Sequence, residues 1–429
     1  MVGQFDHANT SAGSRQAYTV LLVLGVALVV MHWGRFPPDF SALYFAGQFY
    51  GEGAVAAIYP QSETFFWDVP PPDWRAKADA ASELYKQPAR IVTPYIYPPL
   101  WVVPLSWLSS LLDFRQAAHA MLLANVAALL AMVRIGYDLL APKRIAVLHW
   151  VLILSAILLT STVSRLALHL GQPQIFVSFL TLLAFADLAK NRPMRAGGWL
   201  ALAASIKLAP ALFVVIFIME RNWKAAGSFV VIGGVLAAMS ILTMGWPLHD
   251  LFLTKLSQID GQVLVSRLNL SLELGLLQLD HLTRGAFSLA VYKPDMLPEP
   301  AWVTWATRAL LLGGLVVIYV CTRSADPRFR IWSRLSLVAL LLLLTSPLGW
   351  LHYMILPLML LPGVLERSNC GWGAILIAGA AIGYALPLYL QLVEFAQTFL
   401  LQSFLYTAIS LAIFATVLFG ASQPERQNQ

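Results

Sequence analysis

Apolar runs of bilayer-crossing length follow one another along almost the whole chain, and no other feature constrains its fold as strongly. A helix needs about 20 apolar residues to cross the hydrocarbon core. Such runs fall near residues 17–33, 95–112, 116–136, 145–163, 172–189, 196–219, 225–244, 301–321, 331–347, 350–366, 372–391 and 399–419, about twelve in all. Lys, Arg, Asp and Glu make up only 12% of the 429 residues, whereas a soluble domain carries roughly 25%. The polar surface that water would cover is missing, and single soluble cores stop growing below this length. The sequence therefore predicts an all-α fold, a polytopic transmembrane helix bundle forming one integral membrane domain over residues 1–429.

The formal net charge is +6 and the pI about 9.3. The cations sit in short connectors between apolar runs, as at Lys143-Arg144, Arg221 to Lys224 and Arg328 to Arg334. Attraction to anionic lipid head groups explains this placement better than nucleic acid does. The first run follows Arg15 but ends in Met31-His32-Trp33-Gly34-Arg35, without a small-residue cleavage pattern, so it reads as an uncleaved first span starting inside. Cys321 and Cys370 have no metal or disulfide spacing. An even span count brings the polar tail Ser422 to Gln429 back inside.

Two connectors are too long and polar for simple turns: residues 34–94 and 245–300. Both fall on the outer side of this count. The first holds Asp39, Glu52, Glu63, Asp68, Asp73, Asp79 and Glu83 and the triple proline Pro70-Pro71-Pro72. Phe40 to Tyr50 and Leu270 to Leu279 read as short helices, lying either in the membrane plane or against the protein itself. A straight count leaves Lys143-Arg144 and the Lys190, Arg192, Arg195 cluster outside, against the positive-inside rule. Lys207 to Pro210 is a candidate break that would change the count, because Pro removes a helix hydrogen bond.

Ionisable residues at membrane depth are costly and need a reason. Asp39 follows two prolines at the end of the first span, either as a general base for a hydroxyl or as a helix N-cap. Tyr95 and Tyr97 are belt residues or the aromatic wall of a sugar site. Arg165, His169, Gly171 and Gln172 form a polar break, with Gln172 able to bond a sugar hydroxyl or cap the next helix. The straight count puts that break inside, on the wrong side for the site. Lys207 lies in the apolar run Leu202 to Phe217, where a charge costs roughly 2.5–3.5 kcal/mol on insertion scales. Either the helix breaks there, the ammonium snorkels, or it meets an anion such as phosphate. His352, in the turn after Ser346-Pro347, falls on the same side as Asp39 and could hold a phosphate. One base and fixed positive charge on a departing lipid phosphate suffice for glycosyl transfer. No cluster of metal-ligand spacing is present, and no metal or cofactor is expected.

Several segments carry a family resemblance. They are Asp39-Phe40-Ser41-Ala42-Leu43-Tyr44-Phe45-Ala46-Gly47 with Ala57-Ile58-Tyr59, then Tyr97-Pro98-Pro99-Leu100 and Gly171-Gln172-Pro173-Gln174. Ala196-Gly197-Gly198, Ala204 to Pro210, Asn269-Leu270-Ser271-Leu272 and Ser346 to Tyr353 follow in order. With them the chain resembles the glycosyltransferase-C (GT-C) superfamily, most closely family 87, the polyprenyl-phosphate-mannose-dependent α-mannosyltransferase-like proteins. The resemblance implies a GT-C fold in the cell membrane with the site at the outer, periplasmic side. It implies inverting transfer of a hexose, mannose by analogy, from a polyprenyl phosphate donor to a lipid or glycan acceptor. Asp39 is then the catalytic base. His352, with Lys207 and Arg165, would bind the donor phosphate. Gln172, Tyr44, Tyr97 and Trp350 would bind sugar or acceptor. Gln174 stands where the family usually has Asn, and the stretch from Pro70 to Pro88 departs from the common pattern.

A polyprenyl-lipid or small-molecule transporter or flippase is the alternative. Transporters often show internal repeats with paired broken helices, and the two halves here show no convincing repeat. A non-catalytic scaffold would not gather polar groups at one interface. The enzyme reading expects Asp39 and His352 to line one cavity open to lipid and to the outer aqueous side.

Overall fold

Among the residues that the computed structural model describes (2–60, 65–67, 69–86, 91–285, 295–368, 370–395 and 401–423), nearly all regular structure is helical. Glu63 and Asp68 of the first connector lie outside them, as do Pro88 and most of the C-terminal tail. The one strand pair, Gln262–Val265 with Asp295–Pro298, is an antiparallel ribbon within the second connector. Helix is what an apolar environment demands, because every backbone N–H and C=O must be satisfied within the segment.

Among the described residues, five helices are long and apolar enough to cross a membrane: Gly13–His32, Phe114–Leu140, Trp223–Met244, Ala301–Thr322 and Leu401–Ser422. A sixth arises if the bent pair Thr162–Leu170 and Gln174–Ala189 is one span. The Trp223–Met244 helix leaves Val230, Val231 and Leu242 exposed, so its outward face suits hydrocarbon rather than water. The chain is a multi-pass membrane protein.

Several expected runs fold otherwise: 350–366 gives a six-residue helix, Ile355–Leu360, between two 3-10 turns, 372–391 divides into Cys370–Gly383 and Leu386–Phe395, and 95–112 and 196–219 depart further. Residues 95–112 give an irregular stretch, a 3-10 turn at Pro99–Trp101 and a ten-residue helix, Val102–Leu111. Ten residues reach about 15 Å, half the hydrocarbon core. Both ends of this helix are tied to the same end of the bundle: Trp101 Nε1 donates to the Ser205 carbonyl at 2.9 Å, and Leu112 O accepts from the Tyr44 hydroxyl at 2.8 Å. The run 196–219 is broken as the Lys207–Pro210 signal suggested. The Pro193–Ile206 helix stops at Lys207, whose φ and ψ of −150° and 131° are extended, and a 3-10 turn and the Val214–Met219 helix follow.

The Pro38–Gly51 helix packs on the protein itself: ten of its 14 residues are buried, including Phe40, Phe45 and Phe49. It lies against Val102–Leu111 so closely that a Cβ on Gly47 would stand 2.5 Å from the Leu105 carbonyl carbon and oxygen. An aromatic cluster of Phe36, Phe40, Tyr44, Phe45, Tyr85 and Phe114 then joins the first connector to the Phe114–Leu140 helix.

Gly47→Ala is expected to push these two helices apart at a cost of about 1–3 kcal/mol. It should lower the thermal unfolding midpoint in detergent. An unchanged midpoint would mean that the two helices do not touch at this position.

Candidate active site

Asp39 is the second residue of its helix, behind Pro37 and Pro38. Its carboxylate does not cap the helix, since no side-chain cap forms. It accepts a hydrogen bond from Gln172 Nε2, which lies 133 residues further on. The Gln172 amide oxygen in turn faces the Tyr97 hydroxyl at 3.5 Å. Gly171 makes this approach possible. It has a left-handed φ of +67°, and a Cβ there would stand 2.7 Å from Phe40 Cβ and 3.0 Å from Pro37 Cβ. The chain turns by 114° between the helices that flank it. The polar break therefore lies at the Asp39 end of the bundle, where the straight count had not put it.

Burial pushes the Asp39 carboxyl up from 3.8 to about 6, against the pull of the Gln172 hydrogen bond, the Lys207 charge and Thr93. Lys207 follows the broken helix end, its Nζ 4.0 Å from the centre of the Tyr353 ring. It lies within electrostatic reach of both Asp39 and His352. His352 is 2% exposed, and neither of its ring nitrogens has a hydrogen-bond partner. Its ring stacks on Trp350 at 6.0 Å and meets Tyr353 edge-on at 4.8 Å. A buried imidazole with both nitrogens unpaired calls for an explanation, and a ligand supplies one.

The turn bearing His352 is held by main chain. Leu264 N donates to Pro347 O at 3.0 Å, Leu270 N to Gly349 O at 2.8 Å and Leu351 N to Leu268 O at 2.6 Å. Asn269 Nδ2 adds a bond to Leu264 O at 2.6 Å.

Beside Lys207 opens an apolar groove of about 220 Å³ lined by Ile96, Val177, Phe213, Leu342, Leu343 and Tyr353 among others. Its walls are the Gln174–Ala189 and Pro327–Leu344 helices and the 3-10 turn at Ala209–Phe213. Lys207 and Tyr353 line it, but Asp39 and His352 do not. The two are linked through Lys207 rather than through a shared cavity wall.

The structure thus gathers Asp39, Gln172, Tyr97, Lys207 and His352, with Trp350 stacked on the last. Tyr44 and Arg165 stand differently. The Tyr44 hydroxyl is engaged by Leu112 and its ring by the aromatic cluster. Arg165 Nε donates to Leu159 O at 3.3 Å, and the residue lies beside His32 and does not line the groove. Sequence reasoning gave no role to Thr93, whose hydroxyl donates to the Pro38 carbonyl at 2.9 Å beside Asp39. It gave none to Tyr353 either, although that residue ends the last motif. Nothing in its local sequence marks Thr93, because only the fold brings it there.

The fold is thus a multi-pass helix bundle in which one acid, one amide and two basic groups lie near one another, with Lys207 at the wall of an apolar groove. Residues 95–347, more than half of the chain, match the sequence pattern of glycosyltransferase family 87, and the chain belongs to that family. The match takes in Tyr97, Gln172 and Lys207 but begins after Asp39 and ends before His352. The chain is also similar to a polyprenol-phosphate-mannose-dependent alpha-(1-2)-phosphatidylinositol mannoside mannosyltransferase of Mycobacterium tuberculosis, with 27% identity over 306 residues. The aligned part covers 67% of this chain and 65% of that relative.

Because the folded-state value of Asp39 lies above 3.8, the folded protein keeps a proton that the unfolded chain releases. Stability from this group falls as pH rises from about 4 to about 6 and then levels off. Asp39→Asn should therefore unfold a few degrees above wild type at pH 7.5, with the gap closing towards pH 4. A gap independent of pH would show that the carboxyl is not raised. Gly171→Ala should lower the midpoint at every pH, since both the backbone conformation and the space are unfavourable. An unchanged midpoint would mean that the Gly171–Phe40 approach is not close.

Proposed function

We propose that this chain transfers a hexose, mannose by analogy with the mycobacterial relative, from a polyprenyl phosphate to a lipid or glycan acceptor at the outer face of the cell membrane. The observation that carries the reading is the meeting of Asp39 with Gln172 and Lys207 beside an apolar groove. A carboxylate whose pKa is about 6 is ionised at neutral pH, yet basic enough to take a proton from a hydroxyl.

In this mechanism the acceptor oxygen loses its proton to Asp39 as it bonds to the anomeric carbon. The bond from that carbon to the phosphate oxygen breaks on the opposite side, so the configuration inverts. The departing polyprenyl phosphate keeps the electron pair, Lys207 offsets its charge, and His352 donates a hydrogen bond to it. Gln172 orients the base and Tyr97 orients Gln172. Trp350 offers an aromatic face to sugar or acceptor, and the groove takes the start of the polyprenyl chain. Tyr44 acts through the packing of its helix, and Arg165 contributes positive charge from the edge of the site.

The same reading assigns about twelve crossings. The run 196–219 supplies two, down to Lys207 and back, and residues 95–112 supply none. Lys143-Arg144, the Lys190 to Arg195 cluster, Arg221, Arg323 to Arg334 and Arg367 then share one face. The positive-inside rule favours this arrangement, which removes the conflict left by the straight count.

Transfer of radiolabelled sugar from synthetic polyprenyl phosphates in membranes tests the proposal. Asp39→Asn should lose about 10²–10⁴-fold in rate with normal insertion; undiminished transfer would remove Asp39 from the mechanism. His352→Ala should raise the apparent donor KM, and an unchanged KM would contradict its role. Wild-type transfer should decline as pH falls through about 6.

A further inference from the structure

A second cavity, of about 820 Å³, lies far from Asp39. The Phe114–Leu140 helix measures the separation. Phe114 packs on Phe40 near the site, Leu140 lines the second cavity, and the 27 residues span about 40 Å. Lys143, Arg144, Arg328 and Arg367 line it together with Asp326 and Glu366.

Both carboxylates are already engaged. Glu366 accepts from the backbone N–H groups of Lys143 and Arg144 at 3.1 Å. Asp326 accepts from Arg367 Nη2 at 2.8 Å and caps the Pro327–Leu344 helix through Phe329 N–H at 3.1 Å. Among the described residues, the guanidinium groups of Arg144 and Arg328 have no carboxylate of their own. The rim also carries Trp372 and Phe419, 55% and 68% exposed, on the apolar helices Cys370–Gly383 and Leu401–Ser422. A cavity lined by cations and by exposed aromatic rings suits a ligand with an anionic head and an apolar body. Guanidinium groups favour phosphate oxygens, and the volume lies in the range of small-ligand sites.

We infer that this cavity binds the phosphate head group of an anionic phospholipid of the inner leaflet, at Arg144 and Arg328. The inference rests on the topology proposed above and not on the transfer chemistry. A lipid held there would bridge the connector at residues 141–146 to the Pro327–Leu344 and Leu401–Ser422 helices.

The test is lipid retention by the purified full chain in mixed micelles, read by native mass spectrometry. Phosphatidylglycerol should be retained over phosphatidylcholine by wild type, and R144Q/R328Q should lose about fivefold for each arginine. Equal retention of the two lipids by wild type would overturn the inference without recourse to any variant. So would an R144Q/R328Q protein, monodisperse by gel filtration, that retains phosphatidylglycerol as wild type does. Inorganic phosphate is expected to leave the bound lipid in place. If it displaces the lipid at millimolar concentration, the site takes free phosphate and the lipid assignment fails. Sugar transfer measured on the same preparation separates the two proposals, since either activity can be lost while the other remains.

Discussion

The Gln172 amide on the Asp39 carboxylate is the contact on which the arrangement of the site depends. It joins the first connector to a bend deep in the bundle, and it forms only because Gly171 lets the chain turn against Phe40. With that contact made, Asp39 is desolvated on one side and faces Lys207 on the other. Tyr97 completes the line from the far side of the amide. The acid, the amide and the ammonium come from three separate stretches of chain, so the site exists only in the assembled fold.

The two ends of the bundle treat charge in opposite ways. Away from Asp39, Glu220 accepts from Arg330 at 2.9 Å and from Arg334 at 2.8 Å, while Arg334 Nε reaches Thr322 at 2.8 Å. Buried charge there is matched donor for acceptor, the condition under which it is tolerated. Asp187 is likewise ringed by Arg192, Arg195 and the Trp199 indole. Around Asp39 the matching is incomplete. His352 keeps two unpaired nitrogens, and Lys207 rests on an aromatic ring. Incomplete satisfaction of this kind fits the binding role proposed for these residues.

Much of this was legible in the residues. Apolar run lengths predicted a helical membrane protein, and Lys207 with Pro210 marked the helix break. Asp39, Gln172, Lys207 and His352 were each singled out because polar groups at membrane depth are rare. The run at residues 95–112 misled, since its hydropathy is that of a span while Pro98, Pro99 and Pro104 and the close seat of Gly47 make it a short packed helix. In the topology proposed above, that one difference changes the side of everything from Lys143 to Arg195. Hydropathy reports how apolar a segment is, not whether lipid or a neighbouring helix covers it. Thr93 was invisible for a related reason, as its position beside Asp39 comes from tertiary structure alone.

The turn carrying His352 is fastened to the second connector by peptide groups, from Leu264 to Pro347, Leu270 to Gly349 and Leu351 to Leu268. Peptide groups are the same in every residue but proline. Of residues 262–271 only Gln262, Arg267 and Leu268 are not buried, and the Asn269 side chain adds its own bond to Leu264 O. A substitution in this loop is therefore felt at the imidazole, through the main-chain bonds that join the two segments.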